Sequence, residues 1–146
     1  MRIVIDTNSV FSALLNTSGK LSRIILQPKT GLNFYTTNLL NEELNLHRQK
    51  LIKLAGYTAK DFDRAFELIT KRIKIINFNL IPTKDYEKAE KVAFDVDPND
   101  IEFVALAEHI KGKLWTGDKV LIAGLQKNKW NKIITTSEIQ SKYIKK

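Results

Sequence analysis

Short apolar runs and stretches with helical spacing alternate along this chain, and that alternation constrains its fold more than any other feature. Arg2–Asp6 is an apolar run closed by a carboxylate, the pattern of a strand buried on both faces. Asn8–Leu15 and Ser18–Gln27 are spaced as helices, and Pro28 and Gly31 close the second. Asn33–Thr36 reads as a strand and Asn38–Lys53 as a long helix. Thr58, with Asp61 three residues on, predicts a capped helix running to about Arg72. Ile73–Asn77 is the next strand, and Thr83 is expected to cap a helix to Phe94. Beyond a break at Asp95–Pro98, Asn99–Ile110 is helical, and Gly112 stands where a helix stop usually lies. Lys113–Thr116 and Lys132–Thr135 are the last strands, with a helix from Lys119 between them and a terminal helix after them. Repeated strand–helix units of this length predict an α/β fold, a parallel sheet with helices on both faces. Ligands then bind outside the carboxyl ends of the strands.

The chain of 146 residues contains no repeat, low-complexity tract or Gly/Pro-rich linker, so 1–146 is read as a single domain. Its 43% hydrophobic content supports a real core and excludes a disordered tail. It has no cysteine, which excludes a disulfide framework and any thiolate metal site. No apolar run is long enough for a secretory leader or for the roughly 18–20 residues of a spanning helix, so a soluble, cytoplasmic protein is expected.

The net charge of +8 favours polyanionic partners, but its arrangement is more informative than its total. Residues 1–80 carry +6, residues 81–110 carry −5, and residues 111–146 carry +7. An acidic island thus sits inside a basic protein, at a cost in free energy unless cations offset it.

The carboxylates fall at telling positions. Asp6 and Asp118 each end a strand just before a helix, where Asp is also a good N-cap. Asp100 opens a helix but shares its core-facing side with Phe103, Val104 and Ala107. The helix dipole stabilises a carboxylate there, although a simple cap has no need to face the core. Asp95, Asp97 and Glu102 have weaker claims, and Glu102 is expected on the opposite, solvated face. In the long helix Glu43 falls on the apolar side near Leu40 and His47, between Leu39 and Leu54, while Glu42 turns outward. An inward Glu requires a cation or donors, and a pair with Lys50 would be the structural explanation. His47 reads as a packed or partly exposed side chain rather than a ligand, Trp115 as core, and Trp130 as a surface residue able to stack on a base.

Asp6, Glu43, Asp100 and Asp118 are thus the candidates to converge. Oxygen-only ligands suit Mg²⁺ or Mn²⁺ rather than Zn²⁺. Such ions activate a water and stabilise the leaving oxygen in phosphodiester cleavage, while the basic flanks hold the rest of the polyanion.

At these residues the chain resembles PIN-domain proteins of the toxin-like (VapC-like) branch, over essentially its whole length. The resemblance is carried by Ile3-Val-Ile-Asp-Thr-Asn8, Leu40-Asn-Glu-Glu-Leu44, Asp97-Pro-Asn-Asp-Ile-Glu-Phe-Val-Ala-Leu-Ala107 and Trp115-Thr-Gly-Asp118, in that order. It implies a sheet of about five parallel strands with an acidic pocket, and a Mg²⁺- or Mn²⁺-dependent ribonuclease. Asp6, Glu43, Asp100 and Asp118 carry over as metal ligands, and Asn8, Thr116 and Asp97 as supporting residues. Many similar members carry a further acid two positions after the last Asp; Val120 stands there, which bears on a second metal. The resemblance also implies a small antitoxin partner and a homodimer.

Two other classes compete. A haloacid-dehalogenase-type phosphatase would use Asp6 as nucleophile, but its usual second Asp falls at Asn8, and a further downstream Asp is missing. A receiver-like domain lacks its acidic pair. A PIN-like module that binds RNA or a partner without cutting is kept open by Val120.

Overall fold

The computed structural model describes residues 1–144. Five short strands form one sheet: β1 (Arg2–Ile5), β2 (Asn33–Thr37), β3 (Ile73–Ile76), β4 (Lys113–Trp115) and β5 (Ile133–Ile134). All four pairings are parallel, and the order is β3-β2-β1-β4-β5. The chain builds outward from β1 to one side and then to the other. Its topological switch lies between β1 and β4, where an open α/β sheet forms its ligand crevice. Asp6 and Asp118 follow these two central strands.

Helices α1 (Thr7–Leu15), α2 (Lys20–Leu26), α3 (Leu39–Ala55) and α4 (Ala59–Thr70) connect the first three strands. Helices α5 (Thr83–Ala93), α6 (Ile101–Ile110), α7 (Lys119–Lys127) and α8 (Thr136–Tyr143) complete the chain. Alternate side chains of β1 supply two cores, one on each face of the sheet. Ile3 and Ile5 pack with Val10, Leu14, Phe34, Phe62 and Trp115 beneath α1–α4 and α8. Val4 packs with Val104, Leu114, Leu121 and Trp130 beneath α5–α7. This two-sided burial explains why β1 reads as an unbroken apolar run. No helix among the described residues is long and apolar enough to cross a membrane.

The strand–helix alternation is reproduced, with local departures. Thr58 does cap α4, accepting from the Asp61 amide at 3.1 Å. Thr83 lies inside α5 rather than capping it, because Pro82 occupies the N-cap with its fixed backbone angle. Pro98–Asp100 forms a 3-10 turn before α6. Gly112 does not provide the left-handed residue that ends α6; Lys111 does, at φ 55°. Glycine is required at 112 by crowding, since a Cβ there would lie 2.6 Å from the Arg2 carbonyl oxygen.

Trp130 is only 3% exposed, contrary to the surface position expected from its lysine neighbours. Its indole N–H donates to Glu108 Oε1 at 2.7 Å, and Lys132 Nζ donates to Glu108 Oε2 at 3.1 Å. The flanking lysines therefore hide an inward-facing aromatic ring and its buried carboxylate acceptor.

Candidate active site

The residues after β1 and β4 meet the turn before α6 in one cavity of about 590 Å³, at the carboxyl ends of the strands. Asp6, Glu43, Asp97, Asp100 and Asp118 line it, with Asn8 and Thr116, and among the described residues no Lys or Arg does. All seven residues picked out from the sequence therefore share one cavity. Thr7, Ser9 and Ser12, which sequence reasoning missed, line it too. They come from the first two turns of α1, where Thr7 is buried, Ser9 half-buried and Ser12 exposed.

Backbone amides fix two of the carboxylates. Asp6 caps α1, its Oδ1 accepting from the Ser9 amide at 2.7 Å. Asp118 caps α7, its Oδ1 accepting from the Val120 and Leu121 amides at 3.0 and 3.1 Å. Among the described residues the second oxygen of Asp118 takes no hydrogen bond. Cap and cavity positions thus coincide, so the two readings of these aspartates are compatible. Buried Thr116 braces the last turn, its Oγ1 accepting from the Asp118 amide at 3.1 Å. Asp97 caps the 3-10 turn through the Asn99 amide, whereas Asp100 has no capping bond from its side chain.

The electrostatics follow from crowding. Asp100 is pushed up to about 7, first by burial and then by the charges of Asp97, Asp6 and Asp118, together with a hydrogen bond to Asp97. Burial also raises Asp6; the Ser9 hydrogen bonds oppose this, and the Asp118 charge adds to it. Glu43 is raised by burial, partly offset by His47, and raised again by Asp6 and Glu42. The expected Glu43–Lys50 pair is not among the ion pairs of the described residues. His47 instead stands edge-on to Phe11, with ring centroids 6.3 Å apart.

Two wheel readings fail. Leu54, expected on the apolar arc, is 64% exposed, because the end of α3 runs past the core. Glu102 is half-buried rather than solvated: Thr37 Oγ1 donates to its Oε2 at 2.8 Å. Burial raises its pKa; the Thr37 bond opposes this, and the Glu42 and Glu43 charges reinforce it. Sheet packing places the end of β2 beside the start of α6, which no helical wheel contains.

A hard divalent cation fits this donor set, which is all oxygen and lacks an internal counter-charge. Thr7 Oγ1 adds a second indication, being buried at the cavity without a hydrogen-bond partner among the described residues. No group of three acidic or histidine side chains among the described residues is drawn together as a finished metal cage.

Three comparisons bear on this arrangement. A family model described as PIN domain matches residues 4–140. No curated protein matches the chain. The crystal structure of VapBC2 from Rickettsia felis bound to a DNA fragment from their promoter contains a similar fold, with a TM-score of 0.63 and 14% identity. That match covers 92% of this chain and 97% of the other.

Proposed function

Because the chain belongs to the PIN-domain family, we propose that it is a Mg²⁺- or Mn²⁺-dependent endoribonuclease, the toxin component of a toxin–antitoxin pair. The observation that carries this reading is one cavity lined by five carboxylates and, among the described residues, no basic side chain. Asp6, Glu43, Asp100 and Asp118 would hold the metal, with Asn8, Thr116 and Asp97 supporting them. When bound, a divalent ion there supplies Lewis-acid activation of water and neutralises charge on the phosphodiester.

The chain's own residues do the rest. Helix caps hold Asp6 and Asp118 in fixed orientation, leaving one oxygen of Asp118 available. Without a cation, Asp100 retains its proton near neutral pH beside Asp97, which relieves the crowding. Loss of that proton turns Asp100 into a further anionic donor. Hydrolysis by water requires no protein nucleophile, so Ser9 and Ser12 serve as hydrogen-bonding groups on the cavity wall.

The test is cleavage of RNA by wild type, Asp6→Asn and Asp100→Asn, each with Mg²⁺ or Mn²⁺ and with chelator. Each substitution is expected to lower the rate by at least about a hundredfold, and chelation to abolish cleavage. Cleavage that survives both substitutions and chelation overturns the reading. Turnover of a generic phosphate monoester instead would favour the phosphatase.

One observation favours a second reading, a module that binds RNA without cutting. Val120, where similar members carry an acid, is 77% exposed. Salt-sensitive RNA binding with no cleavage under any metal would support it. The likeness to VapBC2 supports a small partner protein, homodimer formation being the accompanying expectation. Co-purification with the product of an adjacent small reading frame tests the former, and sedimentation the latter.

A further inference from the structure

The carboxyl edge of the sheet is acidic, and the opposite edge is its electrical counterpart. Because every strand is parallel, each helix-to-strand connection emerges at that amino edge. The connection 27–32 carries Lys29, 71–72 is Lys71-Arg72, 111–112 carries Lys111, and 128–132 carries Lys129 and Lys132. None of the four contains Asp or Glu. Arg2 and Lys113 open two of the strands at the same edge. With the strand order β3-β2-β1-β4-β5, these cations form a row across all five strands, about 19 Å long at the usual strand spacing.

Two further observations separate this row from ordinary solvated lysines. First, Lys29, Lys111 and Lys129 adopt left-handed backbone angles of 59°, 55° and 64°. Glycine or asparagine occupies such positions at lower cost, yet lysine stands at three of the four connections. Second, Lys29, Lys71, Arg72 and Lys74 surround a cleft of about 540 Å³ that has no acidic residue in its lining among the described residues. Lys74 lies over the Tyr35 ring in this cleft, 5.9 Å from its centroid. Lys132 is engaged by Glu108, but Lys29, Lys71, Lys111 and Lys129 form no ion pair among the described residues.

We propose that the amino edge of the sheet is a second RNA-binding surface, which grips the phosphate backbone of a substrate segment remote from the acidic cavity. A row of cations about 19 Å long spans several phosphates, and backbone contacts of this kind position a strand without reading its bases. The acidic cavity cannot itself hold a long polyanion, so a separate basic edge supplies the affinity that the cavity lacks. The choice of RNA as the polyanion rests on the ribonuclease reading; the surface itself does not.

The test measures binding of a labelled single-stranded RNA of about 30 nucleotides, in chelator so that nothing is cut, across a salt series. Two charge-reversed proteins, Lys29→Glu with Lys71→Glu and Lys111→Glu with Lys129→Glu, are compared with wild type. Each is expected to bind about tenfold more weakly at 0.1 M salt, with the salt slope shallower by about 0.7 for each phosphate no longer neutralised. Cleavage of a dinucleotide, shorter than the strands of four or five residues that separate the two edges, should be unchanged with Mn²⁺. The corresponding Lys→Gln pairs replace any reversed protein whose thermal midpoint drops, with the same expected direction.

Unchanged affinity and slope in both pairs overturn the proposal. So does tighter binding of duplex DNA that falls in parallel with the substitutions, since the edge would then serve DNA. If no RNA is cut by any protein but the substitutions still weaken binding, the ribonuclease reading fails and the basic edge stands.

Discussion

Neutralising Asp100 should make the metal-free protein more stable, although the substitution removes a residue proposed to be essential. In the folded chain its carboxyl is pushed up to about 7, from an ordinary value of 3.8. A raised acid keeps its proton longer in the folded state, so the folded state binds more protons between those two values. Stability therefore falls as pH rises through that window, and the full penalty applies above it. Three pH units correspond to at most about 4 kcal/mol. Asp100 is partly exposed, and solvent screening reduces that ceiling to about 2 kcal/mol. Removing the charge from the start of α6 also sacrifices about 0.3–1 kcal/mol of helix-dipole stabilisation. No side-chain cap bond is lost. The net expectation for Asp100→Asn at pH 8 is a gain of about 1 kcal/mol, or roughly 2–4 °C in Tm. At pH 3.5 the native carboxyl is itself protonated, so the gain should vanish. Thermal unfolding in chelator at both pH values measures this. Millimolar Mg²⁺ or Mn²⁺ should then raise the wild-type Tm and leave the variant nearly unmoved. A variant no more stable than wild type at pH 8, or equally stabilised at pH 3.5, would refute the crowding argument.

Other expectations follow from the same packing. Glu108, whose side chain is 7% exposed, is raised by burial, but its bonds from Trp130, Lys132 and Lys88 outweigh this and hold it below the usual glutamate value. Its contribution is therefore present above that value and lost as pH falls through the lowered one; Glu108→Gln should cost about 1–3 kcal/mol at pH 7 in urea unfolding, the difference shrinking in acid. Gly112→Ala drives a Cβ onto the Arg2 carbonyl and should lower stability by about 1–3 kcal/mol, read from the denaturant midpoint. Lys129→Gly relieves a left-handed backbone and should raise stability by about 1 kcal/mol in the same assay, while weakening RNA binding. Asp6→Ala removes the α1 cap and should cost about 1 kcal/mol before any gain from reduced charge crowding; amide exchange at Ser9 reports the lost bond.

The fold was legible because β1 is apolar on both faces and each later strand is followed or preceded by an amphipathic helix. Those patterns are local, and local patterns survive in a one-dimensional reading. Element ends were less legible at Thr83 and Gly112, where a neighbouring proline and a carbonyl from a distant strand decided the outcome. The candidate acids were visible because strand-end aspartates and an inward glutamate are unusual positions for charge. Thr7, Ser9 and Glu102 were not, since their surroundings come from other elements. Trp130 was misread for the same reason: its lysine neighbours are adjacent in sequence, whereas its acceptor Glu108 is adjacent only in space.

By itself, then, the sequence determined a parallel α/β sheet, its helical cover and a set of carboxylates bound for the strand ends. Only the tertiary structure decided that these carboxylates share one cavity without an internal counter-charge and push Asp100 up to about 7. The same strand order aligned the lysines of separate connections along the opposite edge. Charge along a chain is additive, but the fields of separate loops act together only where the sheet brings those loops side by side.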